Sequence, residues 1–161
     1  LDNGHFHPTE QVGDKISSIL QFVDEILLHL TRGIRWDSDH VVTFNDEILL
    51  IAQEIIRANA LKRVNIGLDY FDASINRIGA YVVGARAVQM ALLYALLEPV
   101  AKLLEFEENG RNFERLAYLE LLKSKPFGAV WDYYCMNGNV PVGQDYIDEI
   151  KKYEKDVLVR R

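Results

Sequence analysis

The sequence predicts an α/β fold, with a parallel-sheet segment over residues 1–98 and a helical extension over residues 99–161. Three observations lead there. Two short apolar runs, Ile26–Leu30 and Val64–Leu68, stand between loops, as expected of strands buried on both faces of a parallel sheet. Between them lies an amphipathic helical pattern, and alternation of strand, loop and helix is the signature of a parallel sheet with crossover helices. After Glu98-Pro99 the strand signal stops and only helical patterns follow.

In chain order, Leu1-Asp2 reads as the end of a strand, and residues 1–13, with His5, His7, Pro8 and Gly13, as the loop leaving it. Asp14 is placed to cap a helix from Lys15 to about Phe22, with Ile16, Ile19, Leu20 and Val23 on one face. Ile26–Leu30 is the next strand, and residues 31–44 are an acidic loop. Thr43 or Asn45 caps a helix reaching about Ala58, whose stripe is Ile48, Ile51, Ala52, Ile55 and Ile56. Val64–Leu68 is a strand ending at Asp69. A long helix from about Ala73 to Leu97 follows, capped by Asp72 and stopped by Glu98-Pro99, because the residue before a proline avoids the helical region. The extension reads as helices over Val100–Glu108, Arg111 to about Lys123, Phe127–Cys135 and Asp145 to about Val159. Asn109-Gly110, Lys125-Pro126, Asn137-Gly138 and Pro141 separate them.

A chain of 161 residues with 49% hydrophobic content fits one domain with a sizeable core. Its net charge of −6 argues against a nucleic-acid or anionic-membrane partner. No membrane span and no signal peptide are expected. One cysteine excludes an internal disulfide framework and fits a reducing, cytoplasmic compartment. Cys135, among Trp131, Tyr133 and Tyr134, reads as a small buried hydrophobe.

The chemistry concentrates in Arg35-Trp36-Asp37-Ser38-Asp39-His40. Two carboxylates one residue apart can reach one divalent ion while the residue between them points away. Such pairs are commonly just solvated loop carboxylates. Here Asp2-Asn3-Gly4-His5, His29 and Asp69 join them, and all lie at or beside the ends of apolar strands. Strand ends of a barrel of alternating strands and helices converge on one face. A buried carboxylate such as Asp69 needs a cation or hydrogen-bond donors. His29 alone could be a satisfied core histidine. His5 and His7 could be solvated loop residues, or the His-x-His element of a metal-dependent hydrolase barrel. Trp36 and His40 read as loop packing or cavity wall.

Three motifs, Leu1-Asp2-Asn3-Gly4-His5-Phe6-His7-Pro8-Thr9-Glu10, Arg35-Trp36-Asp37-Ser38-Asp39-His40 and Gly67-Leu68-Asp69-Tyr70-Phe71-Asp72-Ala73-Ser74-Ile75-Asn76-Arg77, resemble those of bacterial L-rhamnose isomerases. The resemblance extends through Pro126-Phe127-Gly128-Ala129-Val130-Trp131 to the end of the chain, and corresponds to the C-terminal portion of the family protein. It implies the last strands and helices of a (β/α)8 TIM-type barrel followed by the helical extension. It implies interconversion of L-rhamnose and L-rhamnulose, an aldose and a ketose, by a metal-assisted 1,2-hydride shift. His5, Asp37 and Asp39 would bind a catalytic ion, with manganese as the expected metal. Asp2, His29 and Asp69 would bind a structural ion, manganese, zinc or another divalent ion. Asp69 would also orient or deprotonate the water that moves a proton between the sugar oxygens. A homotetramer and a small-molecule sugar partner are implied, with no organic cofactor. A barrel takes roughly 250 residues, so the expectation is a portion of a longer protein, inactive without its N-terminal portion. The alternatives are the hydrolase barrel using His5 and His7, and a non-catalytic assembly module.

Overall fold

The structure, a computed structural model, describes residues 1–34 and 39–160. The apolar runs form β1 (Ile26–Leu30) and β2 (Val64–Leu68), as expected. They pair in parallel with Ile26 opposite Val64 and Leu30 opposite Leu68. The end of a third parallel segment is present at Leu1-Asp2: His29 N–H donates to Leu1 O at 2.8 Å, and Asp2 forms an isolated parallel bridge to His29. The backbone then turns over in a 3-10 turn, Asn3–His5. β1 is not buried on both faces. Leu28 and Leu30 are buried, whereas Leu27 is 54% exposed and His29 is half-buried on the other face.

Three helices cover the buried face. α1 (Gly13–Ile19) starts earlier than expected, so Asp14 sits in its first turn, where a carboxylate still suits the helix N-terminus. It also stops earlier, before Phe22, and Val23 is exposed rather than on the packed face. The reason is Arg63, whose guanidinium draws in the carbonyls of Leu20, Val23 and Asp24 at 2.7–2.8 Å and pulls the chain out of helix. α2 (Asp46–Arg57) begins at Asn45, whose side chain accepts from Ile48 N–H. Such a cap contributes about 1 kcal/mol. Ile48, Ile51 and Ile55 are fully buried against the sheet and α1, each stabilising the fold by roughly 2 kcal/mol.

α3 (Arg77–Leu96) packs on α2 through Ala80, Ala87, Val88, Ala91 and Ala95. Small residues on this face let the two backbones approach closely. The predicted cap, Asp72, is not used. Its carboxylate instead accepts from Ser74 N–H at 2.9 Å and from Ser74 Oγ–H at 2.5 Å, and Asn76 caps the helix by accepting from Gly79 N–H. Contrary to expectation, this helix is long and apolar enough to cross a membrane by length and composition. Its packing against α2 accounts for part of that composition. At its end Glu98, with a side chain only 1% exposed, receives Gln53 Nε2–H at 3.0 Å and both Nε–H and Nη2–H of Arg57 at 2.8 and 2.6 Å.

Four further helices follow. They are α4 (Val100–Glu108), α5 (Asn112–Lys123), α6 (Phe127–Asn137) and α7 (Asp145–Asp156), ending in a 3-10 turn, Leu158–Arg160. α7 is thus shorter than expected and α6 two residues longer. α6 and α7 lean on α3. Arg86 of α3 lies 5.2 Å from the Trp131 ring and 4.4 Å from the Tyr146 ring, and donates to Pro141 O at 3.1 Å. Asn76 Nδ2–H donates to Glu154. Cys135 is buried, as its neighbours suggested.

Candidate metal centre

Asp2, His29 and Asp69 meet at the carboxyl ends of the three parallel segments, each of which delivers one side chain. One ligand-type atom from each lies within 4.8 Å of the others. His29 Nδ1 is 3.2 Å from Asp69 Oδ2 and 3.6 Å from Asp2 Oδ2. Donors sharing one first-row ion at about 2.1 Å stand roughly 3–3.5 Å apart, so these spacings fit a shared cation. Two carboxylates and an imidazole also have the chemistry for it, since hard and borderline ions take oxygen and ring nitrogen.

The local backbone explains why they converge. Asp2 is held because its Oδ1 accepts from Gly4 N–H at 2.9 Å, leaving Oδ2 to face His29. Gly67, directly opposite His29 in the ladder, makes room for the imidazole. A Cβ there would stand 3.2 Å from His29 Cδ2. Asp69 N–H donates to Leu30 O at 3.1 Å, so the ladder runs one step past β2 and fixes the carboxylate at the rim.

The other expected ligands are placed less completely. His5 lies beside this group, its Nδ1 3.7 Å from Asp2 Oδ2. Asp39 lies over the same turn, so close that a Cβ on Gly4 would be 2.5 Å from its Oδ1. Asp37 lies outside the described residues, as do Arg35, Trp36 and Ser38. His40 acts through its backbone, its carbonyl accepting from Arg32 N–H at 2.9 Å and Thr31 Oγ–H at 3.1 Å. His7 faces Thr9 at 2.7 Å.

Several residues round this site carried no signal in the sequence. Asn3 is buried and bonded to Thr31 and Glu47. Burial pushes the Glu47 carboxyl above its ordinary range, partly offset by the Asn3 amide. Gly67 offered one clue: a glycine inside a strand marks a close approach.

Comparison with known proteins decides the lineage. A family model described as L-rhamnose isomerase matches residues 1–161. The chain belongs to the L-rhamnose isomerase family. L-rhamnose isomerases from Bacteroides thetaiotaomicron and Rhodopirellula baltica are 58% and 52% identical to it over 161 residues, all of this chain and 38% of each relative. That of Mannheimia succiniciproducens is 58% identical over 162 residues, covering 39% of its length. The chain therefore spans well under half the length of these L-rhamnose isomerases.

Proposed function

We propose that this chain belongs to a metal-dependent aldose–ketose isomerase that interconverts L-rhamnose and L-rhamnulose, and that it supplies that enzyme's metal-binding rim. The observation that carries this reading is the convergence of Asp2, His29 and Asp69 from three parallel segments. Family membership supplies the reaction class and the sugar. Residues 1–98 would form the last strands and helices of a (β/α)8 barrel, a reading supported by two parallel strands joined through α2 and by the Leu1-Asp2 pairing. Residues 99–161 would be the helical extension and take part in the contacts of a homotetramer. Bacterial relatives and the absence of disulfides favour the cytoplasm.

Asp2, His29 and Asp69 would hold a structural divalent ion, and His5, Asp37 and Asp39 a catalytic one, manganese being our choice. A bound divalent ion would act as a Lewis acid on the sugar oxygens and favour a 1,2-hydride shift between adjacent carbons. The residues do the rest. Gly4 leaves space for the Asp39 carboxylate beside Asp2. Asp69 is not the buried carboxylate that the sequence suggested: its side chain is the most open of Asp2, His29 and Asp69, 59% exposed. That suits a carboxylate which would also orient or deprotonate the water that moves a proton between the sugar oxygens. Holding the sugar in reacting geometry is worth several kcal/mol of barrier, roughly 7–11 in favourable cases.

The test is conversion of L-rhamnose to the ketose by the full-length protein with added manganese. Asp39→Asn should lose the catalytic ion and nearly all turnover. Normal manganese content and turnover in that variant would overturn the ligand assignment. No ketose from the metal-loaded wild type would overturn the function.

A further inference from the structure

The first segment pairs with β1 through alternate residues, and its hydrogen bonds follow a single rule until the chain turns away. Leu1 N–H donates to Leu27 O at 2.8 Å, and His29 N–H donates to Leu1 O at 2.8 Å. The next position of β1's line is Thr31. By then the first segment has left the sheet in its 3-10 turn, and among the described residues no backbone group of that segment meets Thr31 at that step. The side chain of Asn3 takes its place. Asn3 Oδ1 accepts from Thr31 N–H at 2.8 Å, and Asn3 Nδ2–H donates to Thr31 O at 2.8 Å. One carboxamide thus reproduces both bonds of a ladder step. The orientation of the amide follows from chemistry, since Thr31 N can only donate and its carbonyl only accept. The second Nδ2 proton goes to Glu47 Oε1 at 3.1 Å, at the start of α2. Asn3 is only 5% exposed and its two bonds to Thr31 are made away from water, so both are costly to leave open, while the bond to Glu47 is partly buried.

The consequence reaches the metal centre on both sides. Asp2 precedes Asn3 and His29 lies two residues before Thr31, so fixing Asn3 against Thr31 fixes the pair of side chains that face each other at 3.6 Å. Thr31 in turn holds His40 O through its hydroxyl, and Arg32 N–H holds the same carbonyl. That ties down the far end of the acidic loop, one residue from Asp39. We propose that Asn3 is a positioning residue for this centre: its side chain replaces a missing backbone ladder step and so sets the spacing of Asp2, His29 and the returning end of the Asp39 loop before an ion arrives. The inference rests on the metal-site reading above.

Divalent-ion affinity of the full-length protein tests it, with manganese measured by calorimetry and cobalt by its visible d–d bands. The Asp2–His29–Asp69 ion is identified as the one lost in Asp69→Asn. Removing partners that orient metal ligands commonly weakens binding roughly 10–100-fold, and Asn3→Ala should fall in that range, with altered cobalt bands. Ile55→Val, a core change remote from the centre, should lower thermal stability and leave both readouts unchanged. If Asn3→Ala does not fold, Asn3→Asp takes its place: it keeps the acceptor for Thr31 N–H but sets a carboxylate against Glu47. Asn3→Asp should bind weakly, and adding Glu47→Gln should restore part of the affinity by returning one donor bond. Wild-type affinity and cobalt bands in the Asn3 variants would overturn the inference and leave the site standing. A wild-type protein that binds no ion lost in Asp69→Asn would remove the site itself, and the inference with it.

Discussion

Replacing Glu98 by alanine should be among the most damaging single changes outside the candidate metal centre. Its carboxylate is buried, with 1% exposure, and receives three hydrogen bonds from Arg57 and Gln53. Arg57 is the last residue of α2 and Glu98 follows the end of α3, so the pair fastens the two C-terminal helix ends together. Breaking a buried pair from one side costs about 3–5 kcal/mol, because the remaining charge is left uncompensated. Arg57 is 31% exposed and can regain some water, which places the expected loss at the lower end, about 3 kcal/mol. Glu98→Gln keeps one acceptor but turns an amide donor toward the guanidinium, and should cost about 2 kcal/mol. The double variant Glu98→Leu with Arg57→Leu removes both charges and should cost less than Glu98→Ala alone. Urea unfolding at constant m-value measures all three. A loss below about 1 kcal/mol for Glu98→Ala, or a double variant that loses as much as Glu98→Ala or more, would refute the coupling.

Gly4→Ala should displace the Asp39 carboxylate, since the new methyl would lie 2.5 Å from its Oδ1 and 2.7 Å from Thr31 Cγ2. Manganese stoichiometry of the full-length variant should drop, and full occupancy would contradict the geometry. Gly67→Val should push the His29 imidazole off the rim and weaken divalent-ion binding about tenfold or more, whereas unchanged calorimetric affinity would show that the ring has room to move. Burial, reinforced by Tyr81, pushes the Tyr70 phenol up to about 12, and its hydroxyl donates to Ala80 O at 3.0 Å. The unfolded chain then loses this proton near pH 10 while the folded chain keeps it. Stability is full below pH 10 and declines by about 2 kcal/mol toward pH 12. Tyr70→Phe should flatten that part of the alkaline urea-unfolding profile, and an identical slope in both proteins would show that another group titrates there.

Where local pattern and tertiary demand agreed, the chain was readable. The runs at Ile26 and Val64 had no other use than strands, and the α2 stripe began where Asn45 could cap it. The start of α3 was misread at Asp72, because the Ser74 hydroxyl occupies that carboxylate and Asn76, which the sequence reading passed over, caps the helix instead. The end of α1 depended on Arg63, about 40 residues downstream, and no local pattern could announce it. At the candidate metal centre the residue types of Asp2, His29 and Asp69 stood out by chemistry and by position at strand ends. Asn3 did not, because its partners are 28 and 44 residues away and an exposed turn asparagine reads the same in sequence.

The seat of Arg86 between two aromatic rings has a consequence for how the molecule comes apart. The guanidinium meets the Trp131 and Tyr146 rings, the Pro141 carbonyl and the Cys135 sulfur, all of them neutral partners. Attraction of a cation to ring faces and a carbonyl is short-ranged, so added salt should do less to it than to an exposed ion pair. The same side chain touches α6, the loop after it and α7 at once. Those two helices therefore share this attachment to α3 and should open as a cooperative unit, exchanging their amide hydrogens together before the sheet exchanges its own.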